Sequence, residues 1–300
     1  MNAGVLGYYK LMGSVAVPDR LLELYPFQYG FSVRKRLSSD LTYPSLQIQR
    51  PSDTALIEVT LSPVDDWVSV LPGVVDFLDG EVGRVTRVYC PRTGLFFSSS
   101  GGTTSPIIIN SDGTLVTDSN GNVQFIFTSN TTLTMPSSGS LFSGLYSGGG
   151  SGATTVTLSE SSANGMLLSN RTGGGSQQGI DLEYRSTSTM RFFGKSNDNT
   201  TEFFEPTTFS KDTVHKLFTI WQPNVNTSGQ RTIIDLNGVV SSSTTTGVEP
   251  TPSADASVMG WGISGNTGGS RMAGFGGDFI YYLGNQNTNK AGILTELNFI

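Results

Sequence analysis

Short runs in which apolar and polar residues alternate, each closed off by Gly, Pro, Ser, Asn or Asp, recur from Tyr29 almost to the end of the chain. No other feature constrains the fold as strongly. Phe31-Ser32-Val33-Arg34, Leu46-Gln47-Ile48-Gln49 and Ile57-Glu58-Val59-Thr60-Leu61 set the pattern, and residues 85–89, 123–127, 154–158, 166–168, 180–184, 190–193, 215–221, 232–236 and 279–283 repeat it. A period of two puts successive side chains on opposite faces, so many such runs joined by turns call for an all-β fold of two packed antiparallel sheets. The 37 glycines suit the turns, and 14% charged residues is too few for helical surfaces. Asn237-Gly238, between apolar residues, predicts a tight hairpin. The Gly, Ser and Thr tracts at 144–152, 173–179 and 241–247 read as surface loops within one domain, because the strands on either side look alike.

Residues 1–28 are different in kind. Leu6, Tyr8, Tyr9, Leu11 and Met12 form an apolar cluster interrupted by Gly4, Gly7 and Gly13. Leu21, Leu24 and Tyr25, between Pro18 and Pro26, have the spacing of one or two helical turns, and a second short helix is expected within 63–80. So much apolar surface is rarely left open, which divides the chain into a docking arm at 1–28 and a sandwich domain at 29–300. The arm implies a partner chain, either a mate in a homo-oligomer (a trimer is favoured) or another protein of a larger particle. The competing reading has it fold back and complete a sheet.

Charge and cysteine content narrow the partners. The net charge is −6 and the longest basic run is Arg34-Lys35-Arg36, which excludes a phosphate-neutralising nucleic-acid surface. No apolar stretch approaches membrane-spanning length, so no membrane insertion is expected, and the first ten residues lack the pattern of a secretory signal. Cys90 stands alone, so neither an intrachain disulfide nor a cysteine metal cluster is expected, and it reads as a small buried hydrophobe. Asp112-Gly113 and Asp198-Asn199 lack the dense oxygen spacing of a calcium loop, so no metal and no cofactor is assigned.

Several segments, in order, resemble the arabinofuranosidase B catalytic-domain-like family, which also occurs in virion proteins of tailed bacteriophages. They are Gly30–Leu37 with its Arg34-Lys35-Arg36, the run from Pro44 to Asp53, Val85-Thr86-Arg87-Val88-Tyr89 before Thr93-Gly94, Asn120-Gly121-Asn122-Val123-Gln124-Phe125, and Asn289 to Asn298 as a closing short helix. Cys90-Pro91 departs from the family pattern. The resemblance spans roughly residues 28–300 and implies a concanavalin-like, laminin-G-like jelly-roll sandwich.

It also implies a catalytic pair to test. Retaining glycosidases use two carboxyl groups about 5–5.5 Å apart. In Asp181-Leu182-Glu183 the resemblance puts Glu183 at the nucleophile, and in the segment Gly262 to Gly269 it puts Asn266 where the acid/base Asp should stand. An amide cannot deliver a proton as a carboxylic acid does. The sequence therefore reads as a non-enzymatic protein, with Glu183 an alternating residue on solvent. His215, the sole histidine, takes a surface or strand-end role. What remains is a virion component (head decoration, fibre or tail-associated), made in the host cytoplasm and located on the particle. It is expected to meet other virion proteins through residues 1–28 and a cell-surface glycan through its sandwich. Tyr146, Trp261, Asn266, Tyr281 and Tyr282 are the candidate glycan contacts, weighed against the commoner burial of aromatics in a core. The alternative is a glycoside hydrolase of arabinofuranosidase type acting on host polysaccharide.

Overall fold

The computed structural model describes residues 20–128, 131, 133–135, 149–158, 165–169, 179–184, 190–195, 201–204, 210, 213–222, 232–242, 259–261 and 274–297. In chain order its strands are β1 (Tyr29–Ser32), β2 (Leu46–Gln49), β3 (Leu56–Val59), β4 (Gly83–Tyr89), β5 (Phe96–Ser98), β6 (Ile107–Ile109), β7 (Phe125–Phe127), β8 (Leu133–Met135) and β9 (Gly150–Leu158). They continue as β10 (Gly165–Ser169), β11 (Gly179–Tyr184), β12 (Met190–Lys195), β13 (Thr201–Phe204), β14 (Val214–Trp221), β15 (Thr232–Leu236), β16 (Val239–Ser242), β17 (Met259–Trp261) and β18 (Gly274–Leu283). The helices are α1 (Leu21–Leu24), α2 (Leu71–Leu78) and α3 (Lys290–Glu296).

Pairing is antiparallel and builds the two sheets that the alternation demands. The first sheet runs β13, β12, β11, β10, β17, β8, β5. The second runs β16, β15, β14, β9, β18, with β1 and β7 sharing the far edge of β18 and β6 following β7. They join at β4, whose one edge pairs with β5 through Arg87–Tyr89 and with β6 through Gly83 and Arg84, while β2 and then β3 continue from its other edge. The chain must turn a sharp corner between β5 and β6, and Gly101 and Gly102, with φ of 89° and 57°, supply it. The predicted hairpin is present: Asn237 and Gly238 at φ 53° and 85° join β15 to β16, the two positive values that a type I′ turn needs.

Rings from both sheets interlock between the layers. Phe97 of β5 lies 4.8 Å from Phe31 of β1, edge to face, and 5.6 Å from Trp261 of β17. Trp261 in turn meets Phe125 of β7 at 5.1 Å and Phe279 of β18 at 6.2 Å. Each ring so buried contributes on the order of 2–3 kcal/mol, which makes this cluster the centre of the core. Cys90 is fully buried, as a small core residue.

Two expectations are corrected here. The arm does not extend to residue 28, because Leu21 and Phe27 are core residues and residues 20–28 are tied into the sandwich. Arg20 donates from Nε to the Pro63 carbonyl at 2.8 Å and pairs with Asp66 at 3.0 Å, and the Gln28 amide bonds the Tyr281 carbonyl. The apolar cluster Leu6, Tyr8, Tyr9, Leu11 and Met12 lies outside the described residues. Secondly, the alternation reads these first strands as half-buried, whereas β1 and β2 are buried on both faces, Gln47 and Gln49 included. Both glutamines spend their side chains internally: Gln47 Oε1 accepts from Thr86 Oγ1, and Gln49 Oε1 accepts from the Gly102 amide at that corner.

Candidate functional site

The register of the first sheet shows which face each residue of Asp181-Leu182-Glu183 belongs to. Leu182 pairs with Leu168 of β10, and Leu168 with Trp261 of β17, which is packed in the core. Leu182 therefore belongs to the core face, and alternation assigns positions 181 and 183 to the outer face. Glu183 nonetheless keeps only 8% of its surface exposed. This corrects the expectation of a solvent-facing residue, since its carboxylate is enclosed on the outside of the sandwich. Its neighbours in register are Met166 on β10 and Arg191 on β12.

The same register draws a row across the outer face. Asp181 pairs with Ser169, Ser169 with Gly260, Gly260 with Thr134, and Thr134 with Ser98. From there it runs to Arg87, Gln47 and Glu58. Residues in register share a face, so the row is a continuous band of hydrogen-bonding or side-chain-free positions passing two residues from Glu183. A bulge at β4 keeps Arg87 on this face, because Val85 and Val88, three apart, both enter the core.

The outer face of the second sheet is closed by the chain itself. Asp278, next to a bulge in β18, is fully buried and accepts from Ser32 Oγ at 2.6 Å and Thr155 Oγ1 at 3.0 Å while pairing with Arg34 Nε at 2.8 Å. Arg34 and Lys35 also donate to the carbonyls of Leu297 and Glu296 at the end of α3, whose Lys290 pairs with buried Asp235 of β15. A cleft of about 350 Å³ lies beside that last pair, lined by Lys216, Asp235, Asn237 and Lys290 among others. His215, bonded to the lining residue Asn237, is buried, with Nε2 at 2.6 Å from the Ser210 carbonyl and Nδ1 at 3.0 Å from Asn237 Nδ2. His215 is thus an interior residue at the start of β14: of the two roles expected, the strand-end position holds and the surface one is corrected.

The aromatic glycan candidates fare differently from Glu183. Trp261, Tyr281 and Tyr282 are core residues, at 3%, 3% and 1% exposure. Tyr281 stacks on Tyr29 at 6.2 Å and Tyr282 meets Phe27 edge to face at 6.4 Å, so none presents a ring face to a sugar, and the assignment is withdrawn. Tyr146 and Asn266 lie outside the described residues. Sequence reasoning missed the outer-face row, since it exists only once eight strands are set in register.

No protein-family model matches this sequence, and no curated protein does. Solved structures do share the fold. One is a mutant of a GH54 α-L-arabinofuranosidase soaked with 4-nitrophenyl α-L-arabinofuranoside, with a TM-score of 0.58 at 12% identity over 90% of this chain and 63% of that one. An arabinofuranosidase complexed with arabinofuranosyl-α-1,2-xylobiose gives the same values. A sialidase from Trypanosoma rangeli has a TM-score of 0.47 at 10% identity, over 72% of this chain and 31% of that one. The chain thus spans 63% of the length of the arabinofuranosidases it matches. The protein shares its β-sandwich fold with these arabinofuranosidases. The expectation of a non-enzymatic sandwich is corrected on one point: the arabinofuranosidases that share its fold are enzymes, so the fold does not speak against catalysis.

Proposed function

We propose that the protein is a glycoside hydrolase acting on α-L-arabinofuranosides, with Glu183 as its nucleophile. The observation that carries this is the enclosed carboxylate on the outer face of a sheet, at the position the sequence resemblance gives the nucleophile, in a fold shared with arabinofuranosidases. A nucleophilic Glu forms a glycosyl ester as the leaving group departs, and water then hydrolyses it. Asn266 replaces the carboxylic acid that would protonate a poor leaving group. Phenols acidic enough to leave as anions need no such proton, so an aryl arabinofuranoside is the substrate on which Glu183 can be tested alone. The expected result is release of 4-nitrophenol from 4-nitrophenyl α-L-arabinofuranoside, lowered about 1,000-fold or more by Glu183→Gln. Equal rates in the two proteins would overturn the assignment. For the setting of this activity, the resemblance to tailed-phage proteins supports a particle-borne enzyme acting on host-surface glycan. Immunogold labelling of particles tests that placement.

A further inference from the structure

On the outer face of the first sheet and its continuation, where β5 meets β4, two aromatic residues and two charged ones gather. Phe97 and Val88 fill the core from these strands, so the alternate residues Phe96 and Tyr89, a cross-strand pair, stand on the opposite face. Their rings lie 5.4 Å apart at 60°, and the Arg87 guanidinium sits 4.5 Å over the Phe96 ring. Arg87 donates to the Tyr89 hydroxyl at 3.3 Å, and that hydroxyl donates to the exposed Glu58 carboxylate at 3.1 Å. Phe96 and Arg87 stay half-exposed, while Tyr89 is buried behind them with its hydroxyl bonded to Arg87 and Glu58, so Phe96 supplies the accessible ring.

We propose that Phe96, Tyr89, Arg87 and Glu58 form a second carbohydrate site, which holds a distant part of the polysaccharide whose arabinofuranosyl group is engaged at Glu183. Aromatic rings beside fixed donors and acceptors suit a sugar, whose C–H face packs on a ring while its hydroxyls bond the polar groups. Arg87 and Glu58 offset one another, and the chain carries a net charge of −6, so the ligand is a neutral chain rather than a polyanion. The band of Ser169, Gly260, Thr134 and Ser98 lies in register between the two sites. From β11 to β4 is five strand spacings, about 24 Å, a span that only an extended oligomer covers. The inference takes its ligand class from the hydrolase reading.

Affinity electrophoresis of the full chain in gels holding soluble arabinan, arabinoxylan or polygalacturonate tests it, alongside 4-nitrophenyl α-L-arabinofuranoside hydrolysis on the same preparations. Expected is retardation by arabinan or arabinoxylan and not by polygalacturonate. In Phe96→Ala the ratio of polysaccharide affinity to aryl-glycoside turnover should fall about tenfold. A general loss of fold would lower both together, and the milder Glu58→Gln, at an exposed position, should lower the ratio several-fold in a protein with unchanged melting temperature. The site is overturned if the wild type is retarded by neither neutral polysaccharide, if polygalacturonate retards it more, or if both variants bind as the wild type does. Phe96-dependent binding without any glycoside cleavage would instead sink the hydrolase reading and leave this site standing.

Discussion

The two outer faces of the sandwich each carry a carboxylate shielded from water, and they make different use of it. On the second sheet, Asp278 is held by Ser32, Thr155 and Arg34, and Arg34 and Lys35 reach on to α3. That face is sealed by the chain's own polar groups, and Asp278 sews β1, β9 and β18 to the segment that follows β1. On the first sheet, Glu183 stands beside a band of small and polar positions running toward Arg87 and Glu58. Burial alone therefore does not mark a functional acid. On the proposed reading of Glu183 the neighbouring positions matter more: Asp278 is held by Ser32, Thr155 and Arg34, whereas Glu183 lies two residues from a line of small and polar positions.

The largest expected effect breaks the comparison if it fails. Asp278→Ala leaves the Arg34 charge buried without its ion-pair partner and should cost about 3–5 kcal/mol, read as a lower urea midpoint. With Glu183 as the proposed nucleophile, Glu183→Gln should change stability by less than about 1 kcal/mol, because removing a catalytic charge rarely costs a fold and often relieves strain. If Asp278→Ala is tolerated while Glu183→Gln unfolds the protein, the two faces have been assigned the wrong way round. A next, smaller effect sharpens the functional side: Asn266→Asp should raise turnover on unactivated arabinofuranosyl linkages by about 100-fold, with far less gain on the aryl glycoside. Equal gains on both substrates would show that residue 266 is not at the proton-delivery position. Smaller again is Thr155→Val, which deletes one of Asp278's three partners and should cost about 1–2 kcal/mol in the same denaturation experiment.

Much of this architecture was legible in the alternation. Leu46–Gln49 is a strand with the predicted bounds, and the Asn237-Gly238 turn fell where its φ requirements put it. Strands such as β5, β6 and β17 escaped because they are three residues long and Phe96-Phe97 or Ile107-Ile108-Ile109 shows no period of two. Glu183 was assigned to solvent by the same alternation and is buried, since a period of two reports which face a side chain takes and not what covers that face. Trp261, Tyr281 and Tyr282 erred the other way, because composition cannot tell a ring in the core from one on a loop. The row from Asp181 to Glu58 joins strands far apart in sequence and could be read only from the register.

A third buried ionisable residue, His215, tests whether the second sheet is as closed at its far end as it is around Asp278. The Lys216 amide donates to Asn237 Oδ1 at 2.8 Å, which fixes the orientation of that amide and makes its Nδ2 the group facing His215 Nδ1. Nδ1 must then accept, so the ring is neutral and its proton sits on Nε2, donated to the Ser210 carbonyl. Burial holds the imidazole below its ordinary value of 6.5, only partly opposed by the bond to Ser210. Among the described residues, the charged groups around its partner Asn237 are Lys216, its neighbour on β14, and Asp235 and Lys290, which are already paired with each other. For a base with a lowered pKa in the fold, the unfolded chain binds the proton first. Stability is therefore full above pH 6.5 and declines as the pH falls from there toward the lower folded value. Urea midpoints taken from pH 7.5 to pH 5.5 should fall in the wild type, and the fall should shrink in His215→Gln, since the chain has no other histidine to titrate in that range. A wild-type midpoint that is flat across the window, or a slope that survives the substitution, would mean that water and protons reach this end of the sheet and that only the Asp278 end is sealed.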